Sequence, residues 1–270
     1  MRKSLVALSV LAATALPSLA NAADYSDNIH KNDYKWMQFN LMYALKELPR
    51  PADAHSGHDY LEMEFGGRSG IFDLYGYVDV FNLANSDSSD KASASAADKM
   101  FMKFAPRISL DALTGKDLSF GPVKELYVAT LFNWGGNNGG VNNYFVGLGS
   151  DIEVPWLGKM GFNVYSLYDM NEKDWNGYQV STNWFKPVYT FENGTFISYQ
   201  GYIDYQFGMK KKYTSASNGG VMYNGIVWHS DHYAVGYGLK AYHNVYGIDD
   251  GTFGLKSSGV SQYFSLSYKF

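Results

Sequence analysis

The final segment of the chain, residues 263–270, constrains the fold more than any other stretch because its side chains alternate in character. One face carries Phe264, Leu266, Tyr268 and Phe270. The other face carries Tyr263, Ser265, Ser267 and Lys269. This period of two is the geometry of a β-strand with one apolar face. A closing strand of an outer-membrane barrel needs such a face toward lipid, so the segment favours a transmembrane β-barrel.

The other end of the chain predicts export from the cytoplasm. Arg2 and Lys3 precede an apolar stretch over 5–16, and Ala20 and Ala22 form a small-X-small cleavage site. This is the pattern of a cleaved secretory signal, and the apolar stretch is too short for a membrane-spanning helix. The predicted organisation is a signal peptide, residues 1–22, followed by a single outer-membrane β-barrel domain, residues 23–270.

The amino-acid composition argues against a disulfide-stabilised protein and against a nucleic-acid-binding protein. The chain has no cysteine, so no disulfide framework can hold an exported fold together. Its formal net charge of −4 lacks the basic excess expected of a nucleic-acid-binding protein. Aromatic residues make up 17% of the chain, and Tyr and Trp suit a membrane–water boundary.

Alternating segments bounded by Gly, Asn, Asp and Pro predict an all-β antiparallel barrel of about twelve strands. The predicted strands are 34–43, 59–66, 71–81, 100–111, 122–133, 142–152, 160–170, 175–185, 194–207, 221–229, 231–243 and 260–270. Long polar connections follow several odd-numbered strands, and tight turns follow the second and tenth, as outer loops and periplasmic turns would. We expect no substantial helix, and the Ser-, Ala- and Asp-rich loop 85–98 has low complexity.

The segment 72–80 predicts which side chains face the lumen. A basic residue in the lipid-facing band costs roughly 2–4 kcal/mol and an acid less, so the face with the charges must point inward. That face carries Asp73, Tyr75, Tyr77 and Asp79. The same rule predicts that further side chains on other strands face the lumen: Trp36, Glu62, Glu64, Lys103, Arg107, Tyr202 and Asp204.

This predicted lumen favours a neutral solute with a flat ring and hydroxyl groups. Tyrosine rings can stack on a planar base, and carboxylates can accept hydrogen bonds from sugar hydroxyls. A phosphate would require clustered cations, and only Lys103 and Arg107 are clearly placed for one. The alternative is structural, because any small barrel fills its lumen with polar and aromatic side chains.

Several segments resemble the nucleoside-specific channel-forming (Tsx) family of outer-membrane proteins. They are DLYGYVD at 73–79, ISLDALTGKDLSFGPVKELYVA at 108–129, GLGSDI at 147–152, NVYSLY at 163–168 and KDWNGYQ at 173–179. The piece 118–122 followed by Glu125 is the most specific. Within the family, 30–42 and 183–210 resemble the outer-membrane protein K branch.

The resemblance implies a twelve-stranded monomeric barrel in the outer-membrane lipid that passes nucleosides down their gradient. It also implies that exposed loops serve as receptors for a phage tail protein. It implies no enzyme activity and no cofactor. The first strand and the outer loops differ from the nucleoside-transporting branch, which leaves a general small-solute porin, a sugar channel or a plugged structural barrel as alternatives.

Two histidine clusters are candidates for a catalytic or a metal site. His229 and His232 flank Ser230 and Asp231, but a short turn separates side chains that catalysis would have to bring together. His55 and His58 lack a third ligand that would complete a metal site. We therefore expect a hairpin turn and a solvated loop.

Overall fold

The protein forms a closed antiparallel β-barrel. The structure is a computed structural model that describes residues 25, 27–53, 57–84, 100–135 and 140–270. The predicted signal peptide, the loop 85–98 and His55 lie outside these residues. The strands are β1 Tyr34–Leu45, β2 His58–Ser69, β3 Phe72–Phe81, β4 in two pieces Met100–Phe104 and Arg107–Ser109, β5 Val123–Trp134, β6 Asn142–Val154, β7 Gly158–Asp169, β8 Asp174–Thr190, β9 Phe196–Phe207, β10 Asn218–His229, β11 Tyr233–His243 and β12 Gly259–Lys269.

Closure depends on the terminal strand. Strand β12 pairs with β11 on one side and with β1 on the other, and all other strands pair with their sequence neighbours. On β12, Phe264 and Leu266 are 44% and 52% exposed, whereas Tyr263 is 3% exposed. The predicted alternation is confirmed, because the apolar face forms the exterior and the other face points inward.

The exterior around the closure is a continuous apolar band. Exposed Tyr43 and Leu41 on β1 lie opposite Phe264 and Leu266, which in turn lie opposite Tyr237 and Val235 on β11. The rings of Tyr237 and Phe264 have centroids 5.2 Å apart. Such cross-strand pairs each contribute roughly 0.2–1 kcal/mol. Among the described residues no helix is long and apolar enough to cross a membrane.

The fourth strand differs from its prediction. It is interrupted at Ala105–Pro106, because proline has no N–H to donate to the ladder. Its predicted end is instead a one-turn helix, α1, over Leu110–Thr114. The Ser109 hydroxyl accepts from the Ala112 N–H at 3.0 Å, and Gly115 ends the helix in a left-handed conformation. Strand β8 also runs beyond its predicted end at 185, with a bulge between Pro187 and Tyr189.

The two ends of the barrel carry different connections. The turns at 70–71, 155–157, 191–195 and 230–232 are short and, with α1, mark the periplasmic end, where β1 begins and β12 ends. The connections after β1 and β11 are longer and meet at the outer end, where Arg50–Pro51 pairs with Leu255–Lys256 in a two-residue ladder.

Candidate functional site

An ion pair across the barrel identifies its interior. The Lys103 ammonium on β4 lies 2.9 Å from the Asp204 carboxylate on β9. These strands are not neighbours in the sheet, so the contact must pass through the inside of the barrel. Ser181 and Gln179 also donate to Asp204, at 2.6 and 3.4 Å.

Three carboxylates lie together on the inner side of β2 and β3, in what we call the acid–tyrosine cluster: Glu62, Glu64, Asp79, Tyr75 and Tyr77. Glu62 and Asp79 are direct cross-strand partners, as are Glu64 and Tyr77. The Tyr75 hydroxyl donates to Glu64 at 2.8 Å. Among the described residues no Lys, Arg or His nitrogen lies within 4 Å of these three carboxylates.

Amides from β1 supply the other hydrogen bonds of the acid–tyrosine cluster. Gln38 donates to Glu64 at 2.7 Å, and Asn40 donates to Glu62 at 2.6 Å and to Glu64 at 3.2 Å. One oxygen of Asp79 is buried without a hydrogen-bond partner. A buried acceptor without a donor is costly, so this oxygen is a destabilising feature of the cluster.

Aromatic rings line up beside these carboxylates. The Tyr75 ring centroid lies 6.3 Å from that of Trp36 and 6.2 Å from that of Tyr77. Gly66, opposite Trp36 on β2, makes room for the indole, because a Cβ there would lie 2.6 Å from its ring nitrogen. The three rings therefore form a continuous aromatic path next to the acceptors.

A second aromatic group lies across the interior on β9 and β10. The rings of Tyr202 and Tyr223 stack with centroids 5.9 Å apart. The ammonium groups of Lys103 and Lys240 lie 5.7 and 5.9 Å from the Tyr202 centroid. The Tyr202 ring thus already serves as a cation–π partner. Sequence alternation predicted Tyr202 but not Tyr223 or Lys240.

The periplasmic half of the interior is held by what we call the arginine belt: Arg68, Arg107, Asp73, Glu125 and Asp151. Arg107 on β4 makes ion pairs with Asp73 on β3 and, at 2.9 Å, with Asp151 on β6. Arg68 on β2 pairs with Glu125 on β5. All five side chains are at most 15% exposed.

The N-terminal segment enters this belt. The Tyr25 hydroxyl donates to Glu125 at 2.7 Å, and the Arg68 guanidinium lies 5.3 Å from the Tyr25 ring centroid. Burial, together with the neighbouring Glu125 carboxylate, raises the pKa of the Tyr25 phenol. The phenol is therefore neutral at physiological pH and acts as a donor.

The structure divides the residues predicted to face the lumen into these groups. Asp73 makes an ion pair with Arg107 and so lies apart from the other inward-facing residues of 73–79. Lys103 makes an ion pair with Asp204. Sequence reasoning did not predict Arg68, Glu125 or Asp151 as members of the interior. The available signal was Glu125 itself, an acid on a strand whose other face is apolar.

The histidine clusters form no catalytic or metal site. His229 lies 2.8 Å from the Ser198 hydroxyl, but Ser198 is completely buried and one ring nitrogen of His229 has no partner. No acid orients the imidazole, and no substrate could reach the serine. His58 is completely buried at the start of β2, 2.8 Å from Glu47, so the prediction of a solvated loop is wrong for this residue. Within the described part of the chain, no three His, Cys, Asp or Glu side chains are grouped to hold a metal ion.

Comparison with known proteins agrees with this architecture. The family model for the nucleoside-specific channel-forming protein, Tsx, matches residues 31–270. The chain belongs to the Tsx family. It is 68% identical to the outer membrane protein OmpK of Vibrio parahaemolyticus serotype O3:K6, with all of both chains covered.

A more distant Tsx-family relative is also covered from end to end. The nucleoside-specific channel-forming protein Tsx of Salmonella typhimurium is 29% identical over all of both chains. Among solved structures, a KdgM porin covers 86% of this chain and 99% of its own, with a TM-score of 0.47 and 11% identity. Because this structural similarity is weak, the assignment of a closed barrel depends on the pairing of β12 with both β1 and β11. The protein is an outer-membrane barrel of a channel-forming family.

Proposed function

We propose that this barrel is a passive channel for nucleosides across the outer membrane. The observation that carries the proposal is the acid–tyrosine cluster, where a path of aromatic rings runs beside three carboxyl groups that have no cation within 4 Å among the described residues. Such a site suits a solute with one flat face and several hydroxyl groups. Membership of a family described as nucleoside-specific supports the same solute class.

The proposed mechanism is facilitated diffusion. The base of the nucleoside stacks on Trp36, Tyr75 and Tyr77 in turn, and its sugar hydroxyls donate to Glu62, Glu64 and Asp79. Because each contact is weak, the solute exchanges one site for the next and leaves the pore. No bond is formed or broken, and the concentration gradient supplies the driving force.

The cations of the interior support a neutral solute over a phosphorylated one. Lys103 and Arg107, the residues that could have bound a phosphate, are ion-paired with Asp204 and Asp73. Lys240 lies 4.0 Å from Glu47 and beside three tyrosine rings. A phosphate would therefore meet occupied cations and unpaired carboxylates.

The proposal is tested by conductance of the purified, refolded protein in a planar bilayer. We expect adenosine and thymidine to reduce the current in a saturable manner and maltose to leave it unchanged. A current that is equally insensitive to nucleosides and maltose would indicate a general porin. A current blocked by maltose would indicate a sugar channel, and the absence of current would indicate a plugged barrel.

Two expectations from the family remain predictions of the proposal. One is that the barrel works as a monomer, and the other is that its outer connections bind a phage tail protein. Both can be checked on the same preparation, by mass measurement in detergent and by phage inactivation.

A further inference from the structure

The chain before β1 turns back on itself at the periplasmic end of the barrel. The Lys31 N–H donates to the Asn28 carbonyl at 3.1 Å, and the Asp33 N–H donates to the His30 carbonyl at 3.2 Å. The His30 imidazole also lies 2.8 Å from the Asp33 carboxylate. These contacts fold residues 27–33 into a short turn, so the chain changes direction before it enters β1.

This turn is attached to the connection between β2 and β3. The Asp33 carboxylate accepts a hydrogen bond from the Gly70 N–H at 2.7 Å. Gly70 has a left-handed φ of 55°, and a Cβ there would lie 3.4 Å from the His30 ring. Residues 27–33 are therefore docked next to the end of β2, the strand that carries Arg68.

Tyr25, which precedes this turn, lies inside the barrel. Its ring and hydroxyl contact Arg68 on β2 and Glu125 on β5. Strands β3 and β4 separate β2 from β5 in the sheet. A side chain that reaches both residues must therefore lie in the interior, at the level of the arginine belt.

The contact with Tyr25 is not needed to neutralise Glu125. The Arg68 guanidinium donates to both oxygens of this carboxylate, and the Ser109 hydroxyl donates to one of them. If Tyr25 leaves, the buried carboxylate keeps its cation, so no unpaired buried charge is created. The ring contact and the single hydrogen bond of Tyr25 are each modest interactions. The Tyr25 side chain can therefore leave and return while the ion pair stays in place.

We propose that Tyr25 and residues 27–33 form a strap that closes the periplasmic mouth of the pore. In the closed state, the Tyr25 side chain occupies the interior beside Arg68 and Glu125. In the open state, this side chain withdraws toward the periplasm while the turn at 27–33 stays attached to Gly70. The proposal concerns opening of the pore and does not depend on which solute passes through it.

The test is single-channel conductance of the purified, refolded protein in a planar bilayer, in salt alone and without nucleoside. We expect Tyr25→Ala to lower the ratio of closed to open time about tenfold, because it removes both the ring contact and the hydrogen bond. Tyr25→Phe keeps the ring and should give a smaller reduction. The control Tyr189→Ala removes a tyrosine that is 58% exposed at the same end of the barrel, and it should leave the ratio unchanged.

Several results would overturn the strap. An unchanged ratio in folded Tyr25→Ala would do so, as would an equal reduction in the Tyr189→Ala control. If neither the unmodified protein nor Tyr25→Ala passed current, Tyr25 would not be the group that closes the pore. Current that appears only in Tyr25→Ala would support the proposal. Heat-modifiable migration on gels establishes that each variant is folded.

The ion preference of the pore separates a strap from a residue that only lines the wall. The pair of Arg68 with Glu125 remains in Tyr25→Ala, so we expect the reversal potential to stay unchanged while the closed time falls. A shifted reversal potential with an unchanged closed time would make Tyr25 a lining residue and overturn the strap. Nucleoside block is recorded separately, so failure of the strap and failure of the proposed function are distinguishable.

Discussion

The acid–tyrosine cluster and the arginine belt each contain three carboxyl groups, but they differ in the partners that these groups have. In the arginine belt, Arg68 and Arg107 each face a carboxylate partner. In the acid–tyrosine cluster, Glu62, Glu64 and Asp79 face amides, a tyrosine hydroxyl and each other. The three carboxylates of the belt are paired with Arg68, Arg107 and Lys159, whereas the carboxyl groups of the cluster have no Lys, Arg or His nitrogen within 4 Å among the described residues.

The two regions also differ in the strands that they connect. The ion pairs of the belt connect β2 to β5 and β3 to β6 through β4, so they tie strands together across the periplasmic half. The cluster ties only β1, β2 and β3, which already pair through their backbones. Its side chains add little to closure, and we propose that the cluster serves solute binding instead.

The largest expected effect is on stability and arises in the arginine belt. Arg107→Met should lower the free energy of unfolding by about 3–5 kcal/mol, because it leaves Asp73 buried without its cation. Urea unfolding in lipid vesicles, followed by tryptophan fluorescence, measures this loss. The matched change in the cluster, Glu62→Gln, should alter stability by less than about 1 kcal/mol, since it removes a like charge opposite Asp79. If both variants lost a similar free energy of unfolding, the belt and the cluster would not differ in their contribution to stability.

The next effect is on solute binding and belongs to the acid–tyrosine cluster. Tyr75→Ala with Tyr77→Ala should weaken nucleoside block of the current about tenfold or more, because each base–aromatic contact contributes about 1–3 kcal/mol. The control Tyr237→Ala removes an exposed ring from the outer face and should leave the block unchanged. Unchanged block in a folded double variant would exclude these two rings from the mechanism.

The smallest effect concerns the carboxylates. Glu62→Gln with Glu64→Gln should weaken nucleoside block about fivefold, because a hydrogen bond to a charged acceptor becomes one to a neutral amide. The same variant should reduce the preference of the pore for potassium over chloride, measured as a shift in reversal potential. A variant that keeps both the block and the ion preference would show that the unpaired charge has no part in either.

Local pattern predicted most of the strands and much of the cluster. The alternation in 72–80 placed Tyr75, Tyr77 and Asp79 on one face, since a strand side chain has only two directions in which to point. It could not separate Asp73 from that group, because the partner of Asp73 is Arg107 on another strand. The break at Pro106 and the helix after Ser109 were also missed, although proline and the capping serine are local signals for both.

The amino-acid sequence was sufficient for the barrel, for most of the strands that form it and for the lipid-facing side of the strands that alternate clearly. These properties follow from period-two alternation and from the cost of charge in hydrocarbon, which are local. Only the closed structure decided which interior charges pair, as in Lys103 with Asp204 and Arg68 with Glu125. Those groupings depend on distances between strands far apart in the chain, and closure of the barrel sets these distances.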